Sequence, residues 1–294
     1  MDPIPYAKGA AVRIEASVRA CLAQGFQVRL VTSAAPPLEG FAPRLELPGL
    51  EHIQVDLKED NFLERAVAFR SAVSRQAREL TPDLSIVRSI WEGLGVLEGL
   101  PQTPLIYEAH GFPSVELAYH FPNLRSHPQL LGRLIDEENR LLQAARLLIT
   151  PSRTGGRNLH ARGVAPPRIR VIPNSISPED FNWDDPLPVD PVRPHRLLYM
   201  GTLAPWQGVE ILVEALRHLK NRLDLQLVLA GTRKGPWLRR IRHLAAALGV
   251  RSDMEILGPV DRPEVRRQLH MAELCLAPLP DDARNSSQGC CPIE

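Results

Sequence analysis

A glycine-bounded turn between an apolar run and an amphipathic pattern is the first candidate for chemistry in this chain. Residues 199–216 read YMGTLAPWQGVEILVEAL, with Gly201 and Gly208 at the two ends of the turn. Glycine lets backbone approach a ligand closely, and a helix beginning near Gly208 would direct free amides and its positive dipole end towards that ligand. This arrangement suits an anion such as a diphosphate, although a turn that serves packing alone would use the same glycines.

His110 is a second candidate, because it follows an apolar run and precedes a Gly-Phe-Pro turn at 111–113. In doubly wound α/β sheets ligands collect at the C-terminal ends of the strands, so a histidine at this position would face a ligand. Two carboxylates, Glu108 and Glu116, flank it, and we expect Glu108 to lie on the opposite or edge face of the strand. A structural role for a lone histidine is one alternative, and a catalytic carboxylate at Glu108 is another.

Several other reaction classes lack their motif in this sequence. No Gly-x-Gly-x-x-Gly run follows a strand pattern, which argues against a dinucleotide-binding loop. There is neither a Gly-x-Ser-x-Gly elbow nor a Gly-x-x-x-x-Gly-Lys phosphate loop. Because no cluster of His, Cys and Asp has metal-ligand spacing, the sequence predicts neither a metal nor another cofactor.

The composition is that of a globular chain that is close to neutral. Of 294 residues, 44% are hydrophobic and 23% charged, and 35 Lys and Arg against 34 Asp and Glu leave a formal charge of +1. Aromatic residues make up 5% and do not alternate with basic ones, which argues against nucleic-acid binding. The sequence contains no run of 18 apolar residues and no signal-peptide core, and its four cysteines have neither zinc nor redox spacing. These features predict a protein of the reducing cytosol.

One segment departs from this charge balance. Between Arg217 and Arg251, nine basic residues stand against one acid, Asp224. The predicted helix PWLRRIRHLAAALG (236–249) within this segment combines cationic and apolar residues, which makes it a candidate for peripheral contact with an anionic membrane on its inner face. A solvated helix face is the alternative.

Apolar runs of strand length alternate with helical patterns along the chain, which is typical of parallel sheets covered by helices on both faces. The predicted strands are residues 26–33, 52–57, 83–89, 104–109, 146–152, 169–174, 196–202, 225–231, 254–258 and 274–278. The predicted helices are residues 10–24, 61–80, 127–145, 153–162, 208–222, 236–248 and 262–271. The fold class is therefore α/β.

A proline-rich segment divides the chain. Residues 182–196 read NWDDPLPVDPVRPHR, in which four prolines within nine residues prevent a helix and disfavour a sheet. We predict a first Rossmann-like doubly wound domain at 1–181, a linker at 182–195 and a second domain at 196–294. Ligands would collect in a cleft between the C-terminal strand ends of the two domains.

Both ends of the chain lack an element that such domains usually have. The first predicted helix begins near Ala10 without a strand before it, and the chain stops after the strand at 274–278, where a further helix is due. We therefore expect the chain to be truncated and its second domain to be incomplete.

Several segments, in order, resemble the retaining family-4 glycosyltransferases of the GT-B fold. The turn at 199–216 resembles their donor-site motif, in which a strand, a Gly-Arg-x-x-x-x-Lys-Gly turn and a helix hold the diphosphate of a nucleotide-sugar. The other segments are GAAVRIEASVRACLAQGFQVRLVTS (9–33), YEAHGFPSVEL (107–117), VIPNSISPEDF (171–181), LVLAGTRKGPWLRRI (227–241) and LGPVDRPEVRRQLHMAELCLAPLP (257–280). Together they cover roughly residues 9–290.

This resemblance implies the transfer of a hexose from a nucleotide-sugar to a hydroxyl of a polysaccharide or lipid-linked glycan. It also implies retention of the anomeric configuration and a reaction without metal. His110 would hydrogen-bond the transferred sugar. Gly9 and Ala10 in the first loop would lie under the donor diphosphate, as would Gly201 and Gly208, and a simple helix start is the alternative role for Gly9 and Ala10.

The donor motif departs from the family pattern at two positions. Thr202 and Gln207 stand where the family carries its phosphate-binding Arg and Lys, so the turn keeps its shape but loses its charges. The cations that could replace them are Arg233, Lys234 and Arg284.

The last residues carry a further departure. RNSSQGCCPI (284–293) resembles the loop before the family's Glu-x7-Glu motif, and the amides of Ser286, Ser287 and Gly289 could form a phosphate nest there. The Glu-x7-Glu pair itself does not occur after this loop. Two alternatives therefore stay open: an inactive remnant that binds weakly or serves as a scaffold, and a sugar-nucleotide epimerase.

Overall fold

Parallel strands alternate with helices through most of both parts of the chain in the computed structural model. The structure describes residues 4, 9–34, 44–175, 194–231 and 235–289. By their contacts the residues form two compact units, Met1–Ser175 with Ser286–Cys291, and Ile176–Asn285 with Pro292–Glu294. Most of the predicted linker at 182–195 lies outside the described residues.

The first unit holds two parallel sheets among its described residues. Its elements are α1 (Gly9–Ala23), β1 (Val28–Ser33), β2 (Leu50–Val55), α2 (Phe62–Leu80), β3 (Ser85–Val87), α3 (Ile90–Gly99), β4 (Leu105–Glu108), α4 (Pro113–His120), α5 (Pro128–Ala144), β5 (Leu147–Thr150), α6 (Arg153–Ala161) and β6 (Ile169–Val171). Strand β1 pairs with β2, and the second sheet has the order β3-β4-β5-β6. All of these pairs are parallel, so the C-terminal ends of β3 to β6 share one edge.

The second unit is built around one parallel sheet with the order β10-β7-β8-β9. Its elements are β7 (His195–Gly201), α7 (Val209–Leu219), β8 (Leu225–Gly231), α8 (Pro236–Ala247), β9 (Met254–Ile256), α9 (Arg262–Met271), β10 (Leu274–Cys275) and the beginning of α10 (Ala283–Gln288). The last residues of α10, from Ser286 onward, belong by their contacts to the first unit.

Local sequence explains where helices begin and which face they bury. Asn61 accepts a hydrogen bond from the backbone N–H of Glu64 at 2.9 Å and so caps the start of α2. Helix α7 buries Val209, Val213 and Leu216, which share one face because they are spaced three or four residues apart. The apolar periodicity that predicted this helix is therefore the pattern that packs it on the sheet.

The predicted α/β fold is confirmed, with differences in detail. The strand expected at 52–57 lies at Leu50–Val55, and α3, α4 and α10 were not predicted. The loop expected from residue 284 is wrong for the described residues, because Ser286 and Ser287 lie in α10. The carboxylate of Asp282 accepts from the backbone N–H of Asn285 at 2.8 Å, which fixes the first turn of this short helix.

Candidate functional site

The turn between β7 and α7 has the strand–turn–helix geometry that the sequence predicted. Strand β7 ends at Gly201, a single 3₁₀ turn covers Pro205–Gln207, and α7 begins at Val209. Gly208 has φ 65°, the left-handed conformation that favours glycine, and as N-cap it offers no side chain to the first helical amides. The start of α7 is therefore capped by backbone alone, as an anion site at a helix N-terminus requires.

Two adjacent strands of the second unit end in glycine at the same level. Gly201 of β7 pairs in register with Gly231 of β8. A Cβ on Gly231 would lie 1.9 Å from the carbonyl oxygen of Gly201, so this position excludes every larger residue. The C-terminal edge of the sheet therefore carries no side chain at these two strand ends, and the glycines let the two backbones approach each other closely.

We expect Gly231→Ala to destabilise the second unit far more than Gly235→Ala. The two glycines have φ values of 150° and 147°, but a Cβ on Gly235 would meet nothing within 4 Å. Both alanine variants carry the same backbone strain, but only the Cβ at position 231 collides with Gly201. Gly231→Ala should therefore lower the free energy of unfolding by roughly 2 kcal/mol more than Gly235→Ala does. Urea unfolding of both variants measures the difference, and equal losses would contradict the close approach of the two strand ends.

Two side-chain hydrogen bonds within the second unit hold the turn between β7 and α7. The hydroxyl of Tyr199 donates to the carbonyl of Thr202 at 2.8 Å, and the amide of Asn285 donates to the carbonyl of Trp206 at 2.9 Å. The guanidinium of Arg284 lies 5.3 Å from the centre of the Trp206 ring. Arg284, predicted as a replacement cation, is thus next to the turn that contains Gln207.

The other two predicted cations, Arg233 and Lys234, lie outside the described residues.

In the first unit, Glu108 at the end of β4 is the centre of a charged cluster that includes His110. Arg13 from α1 approaches Glu108 Oε1 with its Nε at 2.9 Å, and Arg88, which follows β3, places its Nε 3.2 Å from Oε2. His110 Nε2 lies 3.6 Å from the same Oε2. We call Arg13, Arg88, Glu108 and His110 the Glu108 cluster.

Of the two positions expected for Glu108, the opposite face of the strand is wrong and the edge is the one observed. Glu108 is the last residue of β4, and its Oε2 lies 3.6 Å from Nε2 of His110 in the loop that follows. Only 7% of the Glu108 side chain is exposed, against 20% for His110. The carboxylate is therefore an inner partner of the histidine at the C-terminal edge of β4.

The cluster shifts both titrating groups towards an ionised Glu108 and a neutral His110. Burial alone would raise the pKa of Glu108, but the nearby His110 and the charges of Arg88 and Arg13 outweigh it and hold this pKa at about 2. Burial, together with the charge of Arg88, lowers the pKa of His110, and Glu108 only partly offsets this. At neutral pH the imidazole is thus uncharged, and the cluster carries one surplus positive charge.

Gly9 and Ala10 form the start of α1 rather than a separate loop. Arg88 Nη1 donates to the carbonyl of Ala10 at 2.6 Å, which connects this helix start to the Glu108 cluster. The side-chain oxygen of Asn174 accepts from Arg13 Nη1 at 2.8 Å. Ala10 is therefore connected to His110 through Arg88 and Glu108.

Sequence reasoning missed Arg13 and Arg88. A signal existed for Arg88, because it lies near the C-terminal end of the strand predicted at 83–89, at the same edge of the sheet as His110. Arg13 lies one helical turn after Gly9, so it could have been placed beside the same helix start.

Three apolar residues of the candidate membrane helix are not available at the surface. In α8, Leu238, Ile241 and Ala245 are buried in the core of the second unit, while Arg239 and Arg242 are exposed. Contact of α8 with an anionic membrane stays a prediction that rests mainly on these exposed arginines, and co-sedimentation with anionic vesicles tests it.

Among the helices in the described ranges, none is long and apolar enough to cross a membrane. The described residues likewise contain no group of three or more His, Cys, Asp and Glu side chains arranged to hold a metal ion.

Comparison with known proteins assigns the family. A sequence profile described as Glycosyltransferase Family 4 matches residues 7–180, more than half of the chain. The chain belongs to glycosyltransferase family 4. A second profile, described as Glycosyl transferases group 1, matches residues 189–281 of this family-4 chain.

Individual relatives agree with this assignment. The chain is 24% identical to the D-inositol 3-phosphate glycosyltransferase of Geodermatophilus obscurus, over 90% of this chain and 62% of the relative. The family-4 chain thus spans less than two thirds of that relative's length.

Two solved structures share the fold. WaaG, a glycosyltransferase involved in lipopolysaccharide biosynthesis, is 20% identical with a TM-score of 0.71, over 97% of this chain and 75% of WaaG. Anabaena Alr3699/HepE, solved in complex with UDP-glucose, is 15% identical with a TM-score of 0.60, over 86% of this chain and 73% of HepE. The likeness of this family-4 chain to such glycosyltransferases confirms the GT-B fold.

Proposed function

We propose that the chain transfers a hexose from a nucleotide-sugar to a hydroxyl of a glycan or lipid-linked acceptor, with retention and without metal. The observation that carries the proposal is the edge of the second unit's sheet, where Gly201 and Gly231 end two adjacent strands beside the start of α7. Family membership supports the reaction class, and HepE with UDP-glucose is a protein of the same fold that binds a nucleotide-sugar.

In this proposal the donor diphosphate rests on the turn between β7 and α7. The glycines at 201 and 208 let phosphate oxygens reach backbone amides, and the dipole of α7 favours their negative charge. The departing nucleoside diphosphate gains charge in the transition state, so amides already aimed at it lower the barrier. Arg284 beside Trp206 adds the positive charge that Thr202 and Gln207 lack.

The Glu108 cluster is proposed to bind the transferred sugar. The ionised carboxylate of Glu108 faces Nε2 of the neutral His110 imidazole, which favours the proton on Nε2 and leaves Nδ1 to accept a hydrogen bond from a sugar hydroxyl. Arg13 and Arg88 keep that carboxylate paired, so it does not repel the anionic donor. His110 would thus contact substrate, and Glu108 would set its protonation state.

The acceptor class follows from relatives and stays within the proposal. WaaG acts in lipopolysaccharide biosynthesis, and the Geodermatophilus relative is named for D-inositol 3-phosphate, so both names indicate hydroxyl-bearing acceptors. The name of WaaG supports a polysaccharide or lipid-linked glycan acceptor, whereas D-inositol 3-phosphate is a small phosphorylated polyol.

Incubation of the purified chain with UDP- and GDP-hexoses, with and without a mixed glycan acceptor, tests the function. Release of nucleoside diphosphate that depends on acceptor supports transfer. Interconversion of the nucleotide-sugar without release would instead indicate an epimerase. Absence of both reactions, together with measurable nucleotide binding, would favour the second candidate, a weakly binding scaffold, for which the uncharged Thr202 and Gln207 are the specific observation.

Restoring the family's cations should strengthen donor binding. We expect the double variant Thr202→Arg, Gln207→Lys to bind UDP and GDP about tenfold more tightly, because each added charge lies near the proposed diphosphate. Asp224→Lys is the control, since it also raises the net charge by two and this exposed residue lies beyond the opposite end of α7. Isothermal titration calorimetry measures the affinity of each variant for UDP and GDP. An equal gain in affinity for the double variant and the control would show that only net charge matters.

A further inference from the structure

We propose that Gln288 is a positioning residue for His110, an inference that rests on the proposed role of His110 in sugar transfer. Gln288 lies at the end of α10, in the segment that packs with the first unit, and is only 4% exposed. The motif at 284–293 gave Gln288 no role of its own, because its partner Ser152 lies 136 residues earlier in the chain.

The loop that carries His110 depends on partners from elsewhere in the chain. It connects β4 to α4, whose N-cap, Phe112, has no side-chain hydrogen bond to the helix, and Pro113 has no N–H to donate. Glu138, which is fully buried, accepts from the backbone N–H of Ser114 at 2.7 Å and thereby secures the first turn of α4. The backbone N–H of Phe112, two residues after His110, needs a different acceptor.

Gln288 is that acceptor. With its amide oriented so that both of its ends find a partner, the oxygen accepts from Phe112 N at 3.1 Å and the nitrogen donates to Glu116 Oε1 at 3.0 Å. A buried amide paired at both ends fixes the two groups that it joins. One side chain therefore bridges the loop and the first turn of α4.

The same bridge controls the residue next to His110. A Cβ on Gly111 would lie 2.5 Å from Glu116 Oε1, so this carboxylate occupies the space directly beside the loop. Holding Glu116 in place therefore limits how far Gly111 can move. Because Gln288 holds both Glu116 and Phe112, it restrains the backbone on the C-terminal side of His110.

Gln288 is itself anchored, so it can act as a fixed point. Ser152 Oγ donates to the carbonyl of Gln288 at 2.8 Å and accepts from Gly155 N at 2.8 Å as the N-cap of α6. Gly289 adopts φ 72°, and a Cβ there would lie 2.7 Å from Ser152 Oγ. The chain thus passes close against Ser152 immediately after Gln288.

The first test replaces Gln288 and follows His110 directly. The imidazole resonances of His110, assigned with His110→Asn, are titrated by NMR in the full chain without nucleotide. We expect Gln288→Glu to move these resonances and their titration midpoint, because a second carboxylate would face Glu116 and push the loop away. Gln268→Glu is the matched control: this fully buried glutamine of the second unit also uses both ends of its amide, towards Arg196 and Glu264.

The double variant Glu116→Gln, Gln288→Glu separates positioning from general damage. The exchanged pair again offers an oxygen to Phe112 N and an amide donor to the opposing carboxylate, so the His110 titration should return to that of the unmodified chain. Where transfer is measurable, Gln288→Glu should lower kcat about tenfold with KM for the nucleotide-sugar nearly unchanged, and the double variant should restore it.

These readouts distinguish failure of the inference from failure of the proposed function. An unchanged His110 titration in a folded Gln288→Glu protein would overturn the positioning role, as would a double variant that folds without restoring the titration. A chain that transfers no sugar, yet shows the shift and its rescue, would leave the positioning role standing and refute the transferase assignment.

Discussion

His110→Ala is expected to lower kcat/KM for sugar transfer by about 100-fold, since it removes a hydrogen bond proposed to strengthen as the glycosidic bond breaks. Removing the imidazole leaves the turn between β7 and α7 untouched, so KM for the nucleotide-sugar should change far less than kcat. Initial rates of nucleoside diphosphate release in the presence of acceptor measure both parameters.

His243→Ala is the control for that experiment. His243 is exposed on α8 in the other unit, so its loss should leave kcat within about twofold, as is usual for surface substitutions. If the two variants behaved alike, His110 would be one of the structural histidines rather than a residue that contacts substrate.

Glu108→Gln is expected to destabilise the first unit by roughly 3 kcal/mol at neutral pH, because it leaves two largely buried guanidinium groups without their carboxylate. The side chains of Arg13 and Arg88 are 14% and 19% exposed. Arg13 pairs with Oε1 of Glu108, and Arg88 pairs with Oε2. Glu98→Gln is the control, since Glu98 is 36% exposed and its partner Arg70 keeps a second carboxylate, that of Glu137, at 2.7 Å. Urea unfolding at pH 7 compares the two losses.

The pH dependence of the same variant gives an independent check. The folded-state pKa of Glu108 is held at about 2, below its ordinary value of 4.5, so its stabilisation is present above pH 4.5 and is lost as pH falls towards 2. The difference in stability between the unmodified chain and Glu108→Gln should therefore shrink below pH 4.5. A difference that stayed constant down to pH 3 would show that the carboxylate is not stabilised in its ionised form.

The alternation of strands and helices could be read from the sequence, but α3 could not. Its sequence, IWEGLGVLEG, contains glycines that lower helix propensity. Those glycines permit close packing: a Cβ on Gly95 would lie 2.6 Å from the carbonyl of Arg70, and one on Gly99 would lie 2.2 Å from that of Ser74. Contact with α2 therefore overrides propensity, and only the folded structure reveals it.

The candidate site likewise has features that the local sequence predicts and others that only the folded chain reveals. Local pattern was sufficient for the turn from Gly201 to Gly208 and for His110 at a strand end, because both depend on neighbours in sequence. Local sequence could not predict the Glu108 cluster, since Arg13 and Glu108 are 95 residues apart. The contact of Gln288 with Ser152, 136 residues earlier, was equally unpredictable. Such pairs depend on the order of strands in the sheet and on the path of the last helix.

An amide NMR titration of the chain with UDP and with GDP tests the central proposal most directly. If the diphosphate rests where β7 turns into α7, the backbone amides of Gly201, Gly208 and Val209 will shift in a saturable way with both nucleotides, whatever the base. Saturable binding that leaves these three amides unchanged would contradict the account.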